Sequence, residues 1–562
     1  MNNTQISQKI KRIAEMMTLT NANPYKINSY QKAARIVNSH PEEMGVLIDE
    51  DRLKDVPGIG DSIGRVILYL AKSGGSSVER ELQQQLPEGL VDLLDLPGLG
   101  LIKVEELWRQ HDIDNLDKLE QACRNGRLES LKGFGPKLQV KLLKAIEFQA
   151  ENGKQYHLNI ALKVANDWLV RLSQSPVVNR IEISGQLRRT NELILGVDLL
   201  IVADLPALID SLGQEKSFTQ EAEDHLSFED ECGLTIHLWC TDDDHFSEKQ
   251  LILTGGPAYL VHLDGILEQQ GMCIEDESIE GLITSAKTEV ELCQQLGLQW
   301  IEPELRDQNH EFPTNRTLIS PDDIKGIFHA HSTWSDGIHS LEEMVESARS
   351  MGYTYLGISE HSQAAYYANG LEPDRVRAQW ELIDKMNDSL TDFKIFKGIE
   401  ADILKDGNLD YDESLLEGFD FVIASIHSHF HLDPVKQTDR IIRALQSPFT
   451  TMLGHPTGRM LLAREGYAPD IPAVIQTAVA FDKIIEINTT PKRLDLDWRY
   501  LKMARELGVK ISINPDAHRA TSFDTIPLGV MMARKGGLST TDVVNTMNTI
   551  EIETYLHNRR HA

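Results

Sequence analysis

Six histidines and three carboxylates carry the strongest chemical signal in this sequence. His329 and His331 stand at i and i+2 in "KGIFHAH", and Asp336 follows in "WSDG". His361 ends "YTYLGISEH", Glu400 lies in "FKIFKGIEAD", His427 ends "FDFVIASIH" and His455 lies in "TTMLGHP". Asp516 and His518 close "VKISINPDAH", again at i and i+2. Side chains at i and i+2 of a strand share a face. A lone His-x-His pair is usually structural. Nine such residues at the ends of successive apolar runs point to one metal centre. Imidazole with carboxylate suits Zn, Mn or Fe better than an all-oxygen Mg site. Such ions activate water and neutralise charge on phosphoryl oxygens. Arg459 in "GHPTGR", and Lys492 or Arg493 in "TTPKRLD", follow the fifth and sixth runs and are candidates to contact phosphate. His339, His429 and His431 lie near these residues but outside the pattern, and read as surface residues.

A centre of this kind needs elements that bring distant residues to one mouth. From residue 324 onward seven apolar runs alternate with helical patterns; "DKIIEINTT" is the sixth. That alternation predicts a parallel barrel. In parallel barrels the active site sits at the C-terminal ends of the strands, where the polar residues fall.

The rest of the chain is organised differently. Residues 1–150 read as helical, with a turn repeated in "VPGIGDSIGRVI", "LPGLGLIKVEEL" and "LKGFGPKLQVKL". Each is an apolar–x–Gly–apolar–Gly hairpin followed by a helix. The pairs are Gly58 and Gly60, Gly98 and Gly100, Gly133 and Gly135. Backbone N–H groups at such a turn favour an anion. Residues 151–240 predict a helix and then strands "RIEISG", "LGVDLLIVAD" and "LTIHLWC". Residues 241–315 read as a small mixed piece, and 306–323 as a linker with prolines.

Charge follows the same divisions. The chain carries −30 overall. Residues 1–150 hold 20 Lys/Arg against 21 Asp/Glu, 151–315 hold 10 against 30, and 316–562 hold 26 against 35. The acidic middle segment is ill suited to gripping phosphates. Five scattered cysteines without a Cys-x-x-Cys pair favour a reducing compartment, and a cytoplasmic location is expected. No membrane span or targeting segment is expected. Oligomeric state is not legible.

The motifs "HAHSTWSDG", "ISEHS", "GIEADI", "ASIHSHF", "GHPTGR" and "NPDAH" resemble the polymerase and histidinol phosphatase (PHP) domain. The resemblance implies a distorted seven-stranded barrel with three divalent metals. It places His329, His331, Glu400 and Asp516 on one ion. Glu400, His427 and His455 would hold a second, and Asp336, His361 and His518 a third. Glu400, Asp516 and Arg459 would carry the catalytic roles.

The three hairpins resemble helix-hairpin-helix motifs, which hold the DNA backbone. The order of parts resembles the bacterial family X DNA polymerases. The implied fold class is multidomain α+β and α/β. A helical N-terminal domain with helix-hairpin-helix spans 1–87, and a fingers-like hairpin region 88–150. A palm-like part spans 151–240, a thumb-like part 241–315, and a distorted (β/α)7 PHP barrel 316–562.

In that family the palm motif is Gly-Ser, a spacer with Arg-Arg, then Gly-Asp-x-Asp. This chain has Gly185-Gln186, Arg188-Arg189, Gly196 for the first aspartate and Asp198 for the second. His237 stands where the third aspartate belongs. Ile252-Leu253 replace an aromatic pair before Thr254-Gly255, and Asp264 falls near the position of a basic residue. Ser62 and Val66 occupy the positions of a lyase lysine.

The reading is a metal-dependent phosphoesterase acting on DNA strand ends or gaps, as a 3′→5′ exonuclease or 3′-end processor in repair. Its polymerase core is degenerate. The rival readings are an active gap-filling polymerase with a PHP exonuclease, a small-molecule phosphatase and a non-catalytic DNA-end scaffold.

Overall fold

The computed structural model describes every residue except 1–2, 51, 74, 97, 153–154, 214–217, 276, 285, 308–315 and 562. The middle of the expected linker, 308–315, therefore lies outside the described residues. The chain divides into two compact units, Met1–Lys154 and Gln155–Ala562. Among the described residues no helix is long and apolar enough to cross a membrane.

The first unit is helical. Its helices begin where the sequence supplies caps. Asn23 accepts from the Tyr25 N–H, Ser76 from that of Glu79 and Asn115 from that of Lys118. One core runs from Ile6 to Ile146, across the expected boundary near residue 87. In each hairpin the apolar residue between the glycines (Ile59, Leu99, Phe134) is buried. Gly58, Gly98 and Gly133 have φ of 91°, 102° and 89°, which glycine alone adopts without strain. Gly60, Gly100 and Gly135 lead into the helices Asp61–Ser73, Leu101–His111 and Pro136–Asn152.

The second unit opens with a five-stranded mixed sheet. Its order is Arg180–Ile183, Gly196–Val202, Thr235–Thr241, His225–Glu229, Thr219–Ala222. Gly196–Val202 runs parallel to Thr235–Thr241, with Asp198 opposite His237. Helix Leu158–Ser173 packs on the sheet through Leu158, Ala161, Ala165, Trp168 and Leu172, spaced three and four apart. The elements from Phe246–Thr254 to Glu289–Gln295 enclose a small core of their own around Leu251, Leu263, Leu267 and Leu292.

The barrel follows. Its seven parallel strands pair in chain order: Gly326–Ile327, Tyr355–Ile358, Lys394–Asp402, Phe421–Ser425, Met452–Leu453, Ile484–Asn488 and Ile511–Asn514. A bridge between Ala330 and Ala517 nearly closes the ring, and His331 N donates to Ala517 O at 2.8 Å. The strands are almost wholly buried, as expected where helices cover a parallel sheet. Aromatic rings of Phe328, Tyr355, Phe396 and Phe421 form one layer of the core. Gly398 makes room for them, since a Cβ there would lie 2.1 Å from Phe421 Cζ.

The sheet and the barrel share a core. Residues such as Leu199, Ile201, Leu234 and Ile236 belong to the same apolar cluster as Ile327, Leu356 and Ile511.

Candidate metal centre

All nine residues read as ligands meet at the C-terminal end of the barrel. Glu400, 1% exposed, stands at the middle. Its Oε1 lies 3.2 Å from His329 Nε2, 3.2 Å from His427 Nε2 and 3.0 Å from His455 Nε2. Its Oε2 lies 2.9 Å from His361 Nδ1 and 3.7 Å from His331 Nε2. Asp516 Oδ1 faces His329 and His331 at 3.5 and 3.3 Å. Asp336 Oδ1 faces His518 Nε2 at 3.3 Å and His361 Nε2 at 3.6 Å.

Four overlapping groups have their donor atoms within 4.8 Å of one another. They are His329–Glu400–His455, His329–His331–Asp516, His361–Glu400–His427 and His331–Asp336–His361–His518. The resemblance assigned His361 to the third ion only and His331 to the first only. Here each belongs to two groups.

The strand-face argument for His329 and Asp516 needs correction. Regular pairing ends at Ile327 and Asn514, and both residues have left-handed backbones with φ of 60° and 50°. His455 is also left-handed, at 26°. The chain turns at the strand ends, and this turn aims the side chains inward. Strained backbone of this kind persists where the surroundings enforce it.

The donor set fits a metal. His329 Nε2, both ring nitrogens of His331, His361 Nδ1, Glu400 Oε2 and His455 Nδ1 are buried without a hydrogen-bond partner. Orphaned buried polar atoms are rare. Here several cluster, and divalent cations would supply the partner that the inward-facing His329 Nε2, His331 Nε2, His361 Nδ1 and Glu400 Oε2 lack. Charge is arranged to match. Burial pushes His331 down to about 3, helped by His518 and His361, so its ring is a neutral donor. Burial opposes ionisation of Glu400, yet His427, His329 and His361 hold it well below the carboxylate range. Asp516 is likewise held low by His329 and His331 against its burial.

Other residues orient the ligands, and the sequence reading did not single them out. Glu486 on the sixth strand takes His329 Nδ1 at 2.6 Å. Asp402 takes His427 Nδ1 at 2.5 Å. Asn488 donates to Asp516 Oδ2 at 3.1 Å. Partners of this kind fix ring orientation in metal sites. Glu360, buried beside His361, accepts from Ser332, Ser335 and Gln379 and so ties the Asp336 loop to the second strand. "IIEIN", with acids and amides alternating in an apolar run, was the available signal for Glu486.

Arg459 is placed differently from expectation. Its Nε donates to Arg493 O at 2.9 Å, and its other nitrogens bond Asp497 and Leu494 O. The guanidinium is consumed in holding a loop and does not face the centre as a phosphate contact. Arg493 makes no ion pair among the described residues, and Lys492 is exposed. His429 and His431 are exposed and His339 is half-buried, with none in a ligand group.

The half-site in the mixed sheet is closed in on itself. Asp198 Oδ1 accepts from Trp239 Nε1 at 3.1 Å. Gly185, at φ 61°, packs so close that a Cβ would lie 2.0 Å from Asp198 Oδ2. Burial pushes the Asp198 carboxyl up, against Trp239 and His237. His237 Nδ1 lies 3.0 Å from His225 Nε2, and His225 stacks on Trp239. A Cβ at Gly196 would meet the His237 ring at 3.0 Å. Arg188 bonds Thr254 Oγ1 and Glu289, and Arg189 bonds Asp307 and Thr254 O. These groups form no ligand cluster among the described residues.

At the hairpins, a Cβ on Gly60, Gly100 or Gly135 would meet nothing within 4 Å. Gly58 and Gly98 instead pack against Ile36 and Leu138.

Two families match parts of the chain: the helix-hairpin-helix domain over residues 1–75 and the PHP domain over residues 328–490. Probable phosphatases match little more than a third of the chain. That of Thermoanaerobacter sp. (strain X514) is 27% identical over 38% of this chain and 92% of its own length. That of Caldicellulosiruptor saccharolyticus is 29% identical over 35% and 80%. The DNA polymerase/3′-5′ exonuclease PolX of Bacillus subtilis (strain 168) is 34% identical over 99% of both chains. A likeness that runs through hairpins, mixed sheet and barrel alike decides the matter: the chain belongs to the bacterial PolX family.

Proposed function

We propose that this chain is a metal-dependent phosphoesterase that shortens DNA strands from their 3′ ends during repair, and that its palm no longer transfers nucleotides. The observation that carries the first part is the cluster of orphaned, buried ligand atoms around Glu400. The second part is supported by Asp198, half-buried, bonded to Trp239 and without the two carboxylates it would need. The domain limits 1–87, 88–150, 151–240, 241–315 and 316–562 belong to this reading.

The nine ligands would hold three divalent ions, Zn, Mn or Fe. Bound, such ions supply Lewis acidity toward phosphoryl oxygens and activate water near neutral pH. The chain's own residues do the rest. Glu486 and Asp402 take the Nδ1 side of His329 and His427, so each presents Nε2 inward. Asp336 and His518, about a third exposed, sit at the open side where a phosphodiester enters. Arg493, half-buried and without an ion pair among the described residues, would take the phosphate contact in place of Arg459. The hairpin N–H groups hold the DNA backbone without reading sequence.

A second reading, a gap-filling polymerase with an attached exonuclease, is favoured by the full-length likeness to a relative whose name carries both activities. A gel assay on 3′-recessed and one-nucleotide-gapped DNA in Mn²⁺, with and without nucleotides, separates the two. The native chain should shorten the strand and never extend it. Glu400→Gln should lose activity at least about a hundredfold, ~2.7 kcal/mol of barrier, and Asp198→Ala should retain it. Extension that Asp198→Ala abolishes would overturn the palm reading. Shortening by Glu400→Gln within tenfold of native would overturn the metal-centre reading.

A further inference from the structure

Two adjacent tyrosines stand at the rim of the metal centre. Tyr366 and Tyr367 are 86% and 64% exposed. Their exposure is built in. They lie in a single short turn, Tyr366–Ala368, whose flanking Ala365 and Ala368 are 0% and 2% exposed. Ala368 N donates to Ala365 O at 2.9 Å, and Leu371 N to the carbonyl of the ligand His361 at 2.9 Å. Asn369, left-handed at φ 56°, ends the turn. Its Nδ2 donates to Trp334 O and Ser335 O, both at 3.1 Å, in the residues just before the ligand Asp336. Arg375 clamps the Asn369 carbonyl at 3.0 Å. A Cβ at Gly370 would strike Ser362 O at 2.0 Å, so the backbone there is pressed against its neighbour.

The turn is thus fixed between two ligand-bearing loops, and its anchoring throws two aromatic rings into solvent. The rings lie 6.1 Å apart at 79°.

We propose that Tyr366 and Tyr367 are a stacking platform for the unpaired bases of the strand whose end enters the metal centre. The proposal rests on the reading that the barrel acts on DNA ends. Every base has a π-face, so a platform of this kind positions a strand without selecting sequence. Tyrosine supplies that area at low entropic cost because it has few rotors to freeze. A platform also explains why a polar, acidic mouth keeps two large rings exposed. Unpaired or frayed 3′ ends would be favoured over fully paired ones, because a paired base offers no free face.

The test compares the native chain with Tyr366→Ala/Tyr367→Ala and with Tyr366→Phe/Tyr367→Phe. Substrates are a single-stranded oligonucleotide and the same oligonucleotide with abasic residues beside its 3′ end. Metal content is checked on each protein, and bis(p-nitrophenyl) phosphate reports the metal centre of the native chain. The alanine pair should raise KM on the base-containing strand about tenfold or more, with kcat less affected. The phenylalanine pair should restore KM. The abasic strand should be a poor substrate for the native chain, and the alanine pair should add no further loss on it. An unchanged KM for the alanine pair, or an equal loss on the abasic strand, would overturn the platform alone. A native chain that hydrolyses the small ester but leaves every DNA strand intact would overturn the DNA-end reading, and the platform with it.

Discussion

Glu486→Gln tests whether the centre depends on groups that never touch the ion. Glu486 is fully buried and accepts four hydrogen bonds. Its Oε1 takes His329 Nδ1 at 2.6 Å and Asn514 Nδ2 at 3.0 Å. Its Oε2 takes the His455 N–H at 2.7 Å and Asn488 Nδ2 at 3.4 Å. Glutamine keeps one acceptor oxygen and sets an NH₂ group against the other two donors. In either amide orientation, His329 or His455 loses its support. Loss of such a partner lowers metal affinity about 10- to 100-fold, ~1.4–2.7 kcal/mol. Each buried donor left unmet costs roughly 1–3 kcal/mol of folding stability as well. Titration of the metal-free protein with Mn²⁺ by calorimetry reads the first effect, and thermal melting without metal reads the second. Hydrolysis should recover as Mn²⁺ is raised, because the ligands themselves remain. A folded variant that binds Mn²⁺ within twofold of native would refute the orienting role.

Two further outcomes follow from the same geometry. His427 and His518 rest at about 10 and about 9 without metal. Burial opposes these values, but Glu400 with Asp402, and Asp336 with Asp516, more than offset it. Raised folded values contribute stability that is fully present below the ordinary 6.5 and is lost as pH rises through about 9 to 10. The same protons must leave before a metal binds. Mn²⁺ uptake near pH 7.5 should therefore release protons, with affinity rising toward about pH 9–10. Calorimetry in buffers of different ionisation enthalpy measures this, and uptake with no proton release would contradict it. At the hairpins, Gly100→Val with Gly135→Val adds bulk in open space, without positive φ or a clash. DNA affinity should fall about tenfold, the order of one lost charge-assisted hydrogen bond, and fluorescence anisotropy across a salt series should show it. Unchanged affinity would leave the hairpins as connectors.

The ligands were legible because their types are unusual at strand ends and recur at six of the seven strands. Their supporting groups were less so. Glu486 and Asp402 lie on strands buried on both faces, where no alternation of apolar and polar residues marks an inward carboxylate. Arg459 was misread for a related reason. Its position after the fifth strand was right, but its partner Asp497 lies 38 residues away and only folding brings the two together. The expected partition gives His331 and His361 one ion each, and the folded chain brings each within reach of two groups, a sharing that a strand sequence does not fix once the backbone turns at His329 and Asp516. The hairpins were legible as turns. Which glycine packs inward and which opens to solvent was not, since that depends on Ile36 and Leu138 from other helices.

The proposal of a silent palm raises the question of what keeps the palm folded. The answer lies in its contact with the barrel. Lys535 of the barrel is fully buried and donates to Arg189 O at 2.8 Å, Asn191 Oδ1 at 2.9 Å and Asp307 Oδ2 at 2.6 Å. Trp498, under Lys535, donates to Glu192 Oε2 at 2.9 Å. Around these bonds the apolar cluster is continuous from the mixed sheet into the barrel. Breaking a buried charged pair of this kind costs about 3–5 kcal/mol, and removing the sheet would bare the barrel's flank. Gly196 and His237 stand outside this contact. On the proposed reading of a silent palm, the absence of carboxylates at those two positions leaves this interface intact. The barrel's need for a wall therefore holds the palm in place, a constraint that is independent of what the palm's own site does.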